Sequence, residues 1–546
     1  MILRGKKMKK NKVRLIYLVI YFILIYIILD QNLIKTIMNQ FTSNALIRNI
    51  FIVIFYIGLI DIFCLYKIIK NEKKEKYNVK RFICLSFIIG ILLPYNVIYR
   101  TSFSRFATVF NIIILLFFII SLALIDYNFF YKNNINLRNN VEKSRSYLYF
   151  LIPFIAMSIT WIKSFPALMS YDSYYQLEQI ANNSFNDVHP AAHTLFTKLL
   201  LKIYDSPATV VFFQITLLCL GIWWIFRYFN RKGIDKKILL GILVIWSCIT
   251  PLQTTTCYLW KDVFYSISLL FSTIILIKII ISNHIVKLLE IIILGMALAG
   301  VFLFRHNGVV PFLFTIISIF YLCYKFKCIK YLLSIVISLM IIIPTKTIVY
   351  DIYNVQPNDN GTKYAIFAKS VVSVIANDGN YTEKELEEIN KVMPYDVIKR
   401  NYDWSQGSNL LWNIQSDDAE YGFGNLTYKQ GKSVIKLFVS LLPRNFFIMC
   451  WDIVGSAAIM WQLDFININL FSVHIIYFLP IVICVFLFIK NKKYIDLIPF
   501  IPCIGNTISI LISNISYEAR YGYPTIVILP VILVYTIYYL SLTEKV

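Results

Sequence analysis

Charged residues are scarce in this chain, and their scarcity excludes most classes of soluble protein. Asp, Glu, Lys and Arg make up 15% of the 546 residues, whereas soluble domains carry about 25%. Hydrophobic residues supply 58% of the sequence, and the mean hydropathy is +0.66. Apolar runs long enough to cross the hydrocarbon core of a bilayer recur along the sequence. The composition therefore predicts an all-α polytopic membrane protein.

Several other features are missing as well. The ten cysteines are scattered without metal-ligand spacing, which argues against a structural zinc site or a disulfide framework. The sequence shows no nucleic-acid-binding motif, no tandem repeat and no inverted pair of broken helices. Its net charge of +23 comes from short basic clusters between apolar runs. That pattern is typical of cytoplasmic loops and predicts a bilayer, not a nucleic acid, as the partner.

Hydropathy predicts about fourteen transmembrane helices. They are expected near 14–34, 47–66, 82–99, 106–126, 147–163, 208–226, 238–254, 263–280, 287–304, 308–323, 330–349, 467–489, 494–513 and 521–541. The apolar segment 433–460 contains Pro443, Arg444 and Asp452, so we expect it to lie partly in the membrane interface. The predicted parts are four N-terminal spans (1–146), a membrane core (147–349), a small soluble insert (350–432) and a C-terminal part (433–546).

The basic residues of the short loops predict the orientation of the chain. Lys and Arg cluster at the N-terminus and in alternate loops, and such clusters mark the cytoplasmic side. With fourteen spans both termini are then cytoplasmic, and the loops 164–207 and 350–432 lie outside. The second of these contains eight basic and twelve acidic residues, a balance opposite to that of the remaining chain. We therefore expect a multi-pass cell-membrane protein with an extracytoplasmic site.

The first long external loop, 164–207, contains an unusual set of polar and aromatic side chains. Asp172 follows shortly after the fifth span, within an aromatic patch. The patch consists of Tyr171, Tyr174 and Tyr175. Further polar candidates in the loop are Asp187, His189 and His193. After Pro190 the apolar residues recur at helical spacing, which predicts an amphipathic helix lying on the outer membrane surface.

The chemistry that suits such a loop is sugar transfer. Outside the cytoplasm there is no pool of nucleotide sugars, so a membrane enzyme there generally needs a lipid-linked donor. Transfer from a polyprenyl-phosphate sugar needs a carboxylate to take the proton of the acceptor and cations for the departing phosphate. Asp172 is the candidate base, and the candidate phosphate-binding cations are Lys261, Arg305 and Arg520. Residues expected near the substrate are Tyr171, Asp187, His189, His193, Asp262, Asn307, Glu518 and Tyr521.

An acidic residue shortly after a helix, then His189 and Pro190 opening an amphipathic helix, then a true span, resembles the GT-C fold glycosyltransferases. The nearest subclass is the protein-mannosyltransferase and lipid A aminoarabinose-transferase type, whose first external loop carries the catalytic Asp and two helices along the membrane. The resemblance covers roughly 147–350. The stretch from Arg520 to Pro524 is similar to a late arginine-tyrosine-proline motif of some members.

This resemblance implies a GT-C-like core and a glycosyltransferase that moves a sugar from polyprenyl phosphate to an extracytoplasmic glycan, lipid or protein. Asp172 would be its general base. The chain departs from the pattern in its four preceding spans, in the insert, and in the lack of a second acidic residue beside Asp172. Related folds include both metal-dependent and metal-independent enzymes, so the need for a divalent metal stays open, as do the sugar and the acceptor.

Each candidate also has a structural interpretation. Asp172 could be a solvated carboxylate, Lys261 an anchor at the start of a span, and Arg520 part of an interface ion pair. Asp61, a carboxylate deep in an early span, is a functional candidate whose partner the sequence does not identify. The alternative functions are a polysaccharide polymerase or ligase, and a transporter or flippase of envelope lipids. Transporters usually show repeats and several intramembrane charges, which makes that class less fitting here.

Overall fold

The computed structural model describes residues 146–282, 286–357, 360–402, 421–422, 426–459, 494–513 and 519–543, all within one compact unit. These residues are helical apart from loops and two isolated bridges, and they contain no strand. Several expected features lie outside the described residues. They are the first four spans, the span 467–489, Asp61 and Glu518.

The helices connect through short loops. They are α1 (Leu148–Lys163), α2 (Tyr171–Ala181), α3 (Ala191–Leu201), α4 (Pro207–Arg231), α5 (Lys236–Ser247), α6 (Thr250–Thr256), α7 (Lys261–Ile281), α8 (Leu288–Leu303), α9 (Val309–Phe326), α10 (Leu332–Pro344), α11 (Tyr350–Ile352), α12 (Asn360–Ala376), α13 (Glu383–Asn390), α14 (Tyr395–Asn401), α15 (Tyr428–Ile459), α16 (Ile501–Ser513) and α17 (Tyr523–Thr543). A π-helical turn, Thr345–Val349, joins α10 to α11.

Six of the nine membrane spans expected within the described residues coincide with helices that are long and apolar enough to cross a membrane. Seven helical stretches are long and apolar enough to cross a membrane: Pro207–Arg231, Lys261–Ile281, His306–Phe326, Ile329–Ile352, Tyr428–Cys450, Tyr494–Leu511 and Arg520–Tyr539. The pair α5 and α6 also passes this test, although its two halves are bent by 68°. The helices α1 and α8 are apolar but have only 16 residues each. The protein is therefore a multi-pass membrane protein.

The helix expected after Pro190 is present as α3, and its polar and small side faces the protein. His193, Thr194 and Thr197 are fully buried, whereas Leu199 and Ile203 are exposed. An apolar side that points away from the protein is suited to lipid, since a water-facing helix would bury its leucines instead. This arrangement fits a helix that lies along the membrane and presents polar groups to its neighbours.

Helices α12 to α15 share an apolar core of their own, which contains Ala368, Val372, Ile375 and Leu441. The boundary expected at residue 432 falls inside α15, so part of the C-terminal segment packs with the insert. The Tyr428–Cys450 stretch of α15, expected to lie partly in the interface, has the length and hydropathy of a span. Within this core Lys369 pairs with Asp452 at 3.1 Å, and both side chains are buried.

Candidate active site

Backbone pairing brings the start of α2 against the start of α7. Leu168 exchanges hydrogen bonds with the segment before α7, donating to Cys257 at 2.9 Å and accepting from Leu259 at 3.2 Å. Ser173 donates its hydroxyl to the Leu259 carbonyl at 3.1 Å. Trp260 donates its indole N–H to the Ser170 hydroxyl at 2.6 Å. Because the first turns of both helices are held together in this way, residues 172 and 261 become neighbours.

Asp172 lies at the centre of a group of polar side chains from four parts of the chain. Its Oδ2 accepts hydrogen bonds from Arg520 Nη1 at 2.6 Å and from Lys261 Nζ at 3.5 Å. Its Oδ1 lies 3.6 Å from His189 Nε2. The Asp172 side chain is 17% exposed, so it is accessible without being fully solvated. We call these four residues the Asp172 cluster.

Lys261 determines which nitrogen of the His189 imidazole carries the proton. The Lys261 ammonium donates a hydrogen bond to His189 Nδ1 at 2.8 Å, so that nitrogen must be unprotonated. Burial, together with the positive charge of Lys261, lowers the pKa of His189 to about 3. The imidazole is therefore neutral at physiological pH, and its remaining proton is on Nε2, the nitrogen that faces Asp172.

The Asp172 carboxyl is held in its ionised form. Burial by itself would raise its pKa, but the positive charges of Lys261 and Arg520 and the hydrogen bond from Arg520 outweigh this effect. The pKa of Asp172 consequently lies well below its usual range. In this arrangement the carboxylate is a poor proton acceptor as long as both cations stay in contact with it.

Arg305 and Asp262 form a second layer beside this cluster. They approach within 3.0 Å, and Asp262 is fully buried. The guanidinium of Arg305 lies over the rings of Tyr521 and Tyr265, at 4.6 and 5.4 Å. Arg520 also lies over Tyr521, at 5.6 Å, so the same ring contacts both arginines. Arg305, one of the three candidate phosphate ligands, thus has a carboxylate partner of its own.

Asp187 is the centre of another set of contacts that anchors the loop before α3. Its Oδ1 accepts from the Ala191 N–H at 2.8 Å and from the Tyr350 hydroxyl at 2.9 Å, and its Oδ2 accepts from Lys346 at 3.0 Å. His306 donates to the Asp187 carbonyl at 2.9 Å. Since His189 is only two residues away, these contacts fix the loop from which it reaches Lys261.

Sequence reasoning missed Lys346, Tyr350 and His306. One signal could have found Lys346, because it is a charge inside an expected span and such charges have a functional or pairing role by default. Tyr350 stands four residues later, the spacing that places two side chains on the same face of a helix. No signal in the sequence indicates that Asp187, more than 150 residues earlier, is their partner.

The remaining candidates are distributed around the cluster. His193 is buried on α3, where its Nδ1 donates to Gln176 at 2.8 Å, and burial lowers its pKa to about 3. Tyr171 is 81% exposed at the start of α2. Asn307 lies in the short turn His306–Gly308 beside Arg305. Glu518 lies outside the described residues.

Within the described residues, no three His, Cys, Asp or Glu side chains lie together as a metal-binding group. Comparisons of the chain with protein families, with curated proteins and with solved structures find no match.

Proposed function

We propose that this protein is a membrane glycosyltransferase of the GT-C type. It would move a sugar from a polyprenyl-phosphate donor to an acceptor outside the cytoplasm. The observation that carries the proposal is the Asp172 cluster, in which one carboxylate, two cations and a neutral imidazole meet at the start of a membrane helix. These are the groups that a transfer with a phosphate leaving group requires.

Lys261 supports the phosphate-binding part of the proposal. It is the first residue of α7, where the helix dipole disfavours a positive charge, and its side chain is only 14% exposed. Its shortest polar contact is to an uncharged imidazole, and its contact with the Asp172 carboxylate is 3.5 Å long. The second carboxylate nearby, that of Asp262, is paired with Arg305. A nearly buried cation with so little compensation is costly for the fold. A phosphodiester bound at this position would offset that cost.

In the proposed reaction the acceptor hydroxyl attacks the anomeric carbon of the donor sugar. The new carbon–oxygen bond forms as the bond from that carbon to the phosphate oxygen breaks, and the electron pair leaves with the phosphate. The hydroxyl proton passes to Asp172. Lys261 and Arg520 stabilise the charge that gathers on the polyprenyl phosphate, while His189 orients Lys261.

This scheme also explains why a carboxylate with a lowered pKa can act as the base. In the absence of donor, Lys261 and Arg520 hold Asp172 ionised and weakly basic. A donor phosphate would draw both cations toward itself and so return proton affinity to Asp172. The base would then become effective only when the donor is present, which disfavours wasteful proton transfer before binding.

The proposal includes the orientation expected from the basic loops, with the cluster on the extracytoplasmic side. Arg305 does not contact the phosphate in this proposal, because its guanidinium pairs with Asp262 and packs on the ring of Tyr521. Asp262 would then position Arg305, and the Tyr521 ring would position both arginines. Lys261 and Arg520 are the two cations left to contact the phosphate.

The test is sugar transfer by the purified protein in lipid nanodiscs. The donors are labelled polyprenyl phosphates that carry glucose, galactose, mannose or N-acetylglucosamine, and a polyprenyl-diphosphate oligosaccharide is included. Asp172→Asn should lower transfer by about 10²–10⁴-fold. The matched control is Asp205→Asn, since Asp205 is an exposed carboxylate of the same loop and should be dispensable.

Two outcomes would contradict the proposal. One is that no phosphate-linked donor is used, and the other is that Asp172→Asn behaves like Asp205→Asn. Transfer only from the diphosphate-linked oligosaccharide would favour a polymerase or ligase instead.

A further inference from the structure

The exposed end of α2 carries a tyrosine whose ring lies beside a second aromatic ring although most of its own surface is accessible. Tyr171 is 81% exposed, and its ring lies parallel to that of Tyr175, with an interplanar angle of 8° and centroids 6.3 Å apart. Tyr174, one turn along the same helix, is 62% exposed and has no ring contact of this kind among the described residues. Tyr171 therefore differs from Tyr174 in having a ring contact with Tyr175, which itself contacts His189.

Tyr175 links this exposed ring to the Asp172 cluster. Its hydroxyl accepts a hydrogen bond from the Asn186 amide at 2.6 Å. Its ring meets the His189 imidazole edge to face, at 5.9 Å and 79°. His189 in turn accepts a hydrogen bond from Lys261. The orientation of the two tyrosine rings is therefore fixed by the same residues that fix the proposed catalytic groups.

The position of the tyrosine pair beside Asp172 indicates whether the pair contacts the donor or the acceptor. Tyr171 directly precedes Asp172, whose carboxylate points into the cluster toward Lys261 and Arg520. Because Tyr171 is exposed, a group resting on the tyrosine pair would reach the Asp172 cluster from solvent. That is the side from which an acceptor hydroxyl must arrive, because the donor phosphate would occupy the cationic side.

We infer that Tyr171 and Tyr175 form an acceptor subsite for a sugar ring, an inference that rests on the proposed function. A pyranose has an apolar face of C–H groups and an edge of hydroxyls. Flat aromatic surfaces bordered by polar groups complement both features. Here the nearly parallel rings of Tyr171 and Tyr175 supply the flat surface. The two phenol hydroxyls and Asn186 supply the polar border. The acceptor would accordingly be a glycan.

Alternative acceptors would need different surroundings. One common mode of peptide recognition adds the peptide as a strand to an exposed sheet edge. The described residues contain no strand, and the two isolated bridges pair Leu168 with Tyr258 and Asn186 with Gln356. A lipid acceptor needs an apolar surface, whereas Tyr175 contacts the polar side chains of Asn186 and His189.

The first measurement is binding, which does not depend on turnover. Saturation-transfer NMR with the protein in nanodiscs would use tetrasaccharides of glucose, galactose, mannose and N-acetylglucosamine as probes. At least one tetrasaccharide should receive saturation from the wild type. Tyr171→Ala should weaken that binding by about 3- to 10-fold, because one aromatic contact is lost. Tyr171→Trp should preserve the binding, and Tyr174→Ala is the matched control that should leave it unchanged.

The second measurement is transfer from a labelled polyprenyl-phosphate sugar to the tetrasaccharide that binds. Tyr171→Ala should raise the KM for this acceptor by the same factor and leave kcat nearly unchanged. Asp172→Asn should lower transfer by about 10²–10⁴-fold and still bind the tetrasaccharide. If binding depends on Tyr171 but no transfer occurs, the subsite stands and the proposed reaction fails.

The inference is overturned if no tetrasaccharide binds to the wild type. It is also overturned if Tyr171→Ala binds no worse than Tyr174→Ala. Transfer directed to a serine- and threonine-containing peptide or to diacylglycerol, in place of the tetrasaccharides, would show that the acceptor is not a glycan.

Discussion

At the scale of single residues, the charged groups of this site are arranged unfavourably for the stability of the chain. Lys261 occupies the positive end of a helix dipole, and Asp172 shares one oxygen between two cations. Natural proteins commonly tolerate such unfavourable arrangements where function needs them. Replacement of these groups should therefore affect activity and stability in different directions.

The first prediction concerns Lys261→Met, which keeps the length of the side chain and removes its charge. Transfer should fall by about 10²–10³-fold, as for the loss of one electrostatic donor in a transition state. The melting temperature should stay the same or rise, because a poorly compensated charge has been removed from a nearly buried position. Activity and thermal unfolding of the purified protein are the measurements.

Lys202→Met is the control for this prediction, since Lys202 is exposed at the end of α3. A membrane anchor would behave in the opposite way to our expectation. Its loss would reduce expression or stability and leave the rate per folded molecule unchanged, and that result would remove Lys261 from the mechanism.

The second prediction is a pH dependence. The pKa of His189 is lowered to about 3 and that of Asp172 lies well below its usual range, so neither group changes its charge between pH 5 and 8. The profile of kcat/KM, which reports the free enzyme, should show no limb from these two groups over that interval.

Nitrogen NMR tests the same prediction directly. The chain contains five histidines, so selective labelling with ¹⁵N-histidine gives few signals, and the His189→Gln variant identifies those of His189. The signals should show a neutral imidazole protonated on Nε2 at pH 6. An apparent pKa near 6.5 for His189, lost in His189→Gln, would show that Lys261 does not hold the ring neutral.

At the scale of elements, the turn between α8 and α9 determines the position of Arg305. Gly308 closes this turn so tightly that an added Cβ would lie 1.9 Å from the Val301 carbonyl oxygen. No side chain fits there without a shift of the backbone, since the obstacle is itself main chain. The hairpin that carries Arg305 therefore depends on the absence of a side chain at one residue.

The third prediction compares two substitutions of glycine by alanine. Gly308→Ala should destabilise the protein by about 1–3 kcal/mol, as overpacking typically does. It should also reduce transfer, because the hairpin moves Arg305 away from Asp262 and Tyr521. Gly241→Ala is the control, since no atom lies within 4 Å of the Cβ that it would add.

Thermal unfolding and transfer rates of both variants check this prediction. Equal behaviour of the two variants would mean that the turn relaxes without moving Arg305.

At the scale of the whole molecule, the apolar helices make this a multi-pass membrane protein, and the distribution of basic loops predicts which side faces the cytoplasm. The proposed reaction requires the Asp172 cluster to lie outside, where lipid-linked donors replace nucleotide sugars. A test of the membrane orientation is therefore also a test of the proposed reaction.

The fourth prediction concerns the labelling of two introduced cysteines in a chain whose ten native cysteines are replaced by serine. Lys384→Cys, on α13, should react with an impermeant maleimide in intact cells. Lys232→Cys, after α4, should react only when the membrane is permeabilised. Both positions are exposed on the protein surface, so accessibility alone does not separate them. The reverse pattern would invert the topology and remove the basis for an extracytoplasmic site.

The sequence by itself determined the local features of this protein. Apolar runs of about 20 residues must form helices in a bilayer, because no other local structure satisfies the backbone there. The start of α7 at Lys261 and the helix after Pro190 follow from such local patterns. The candidates Asp172, Lys261 and Arg520 could be selected for the same reason, since each lies at the expected end of a span or loop.

Only the tertiary structure decided which of these groups meet. Arg520 reaches Asp172 across 348 residues of chain, and Arg305 turns instead to Asp262. Lys346 pairs with Asp187 across 159 residues, a contact that no pattern in the sequence indicates. The physical reason is that hydrophobic periodicity and loop charge act over one or two helical turns, whereas an ion pair forms between whichever residues the packing of several helices brings within a few ångströms.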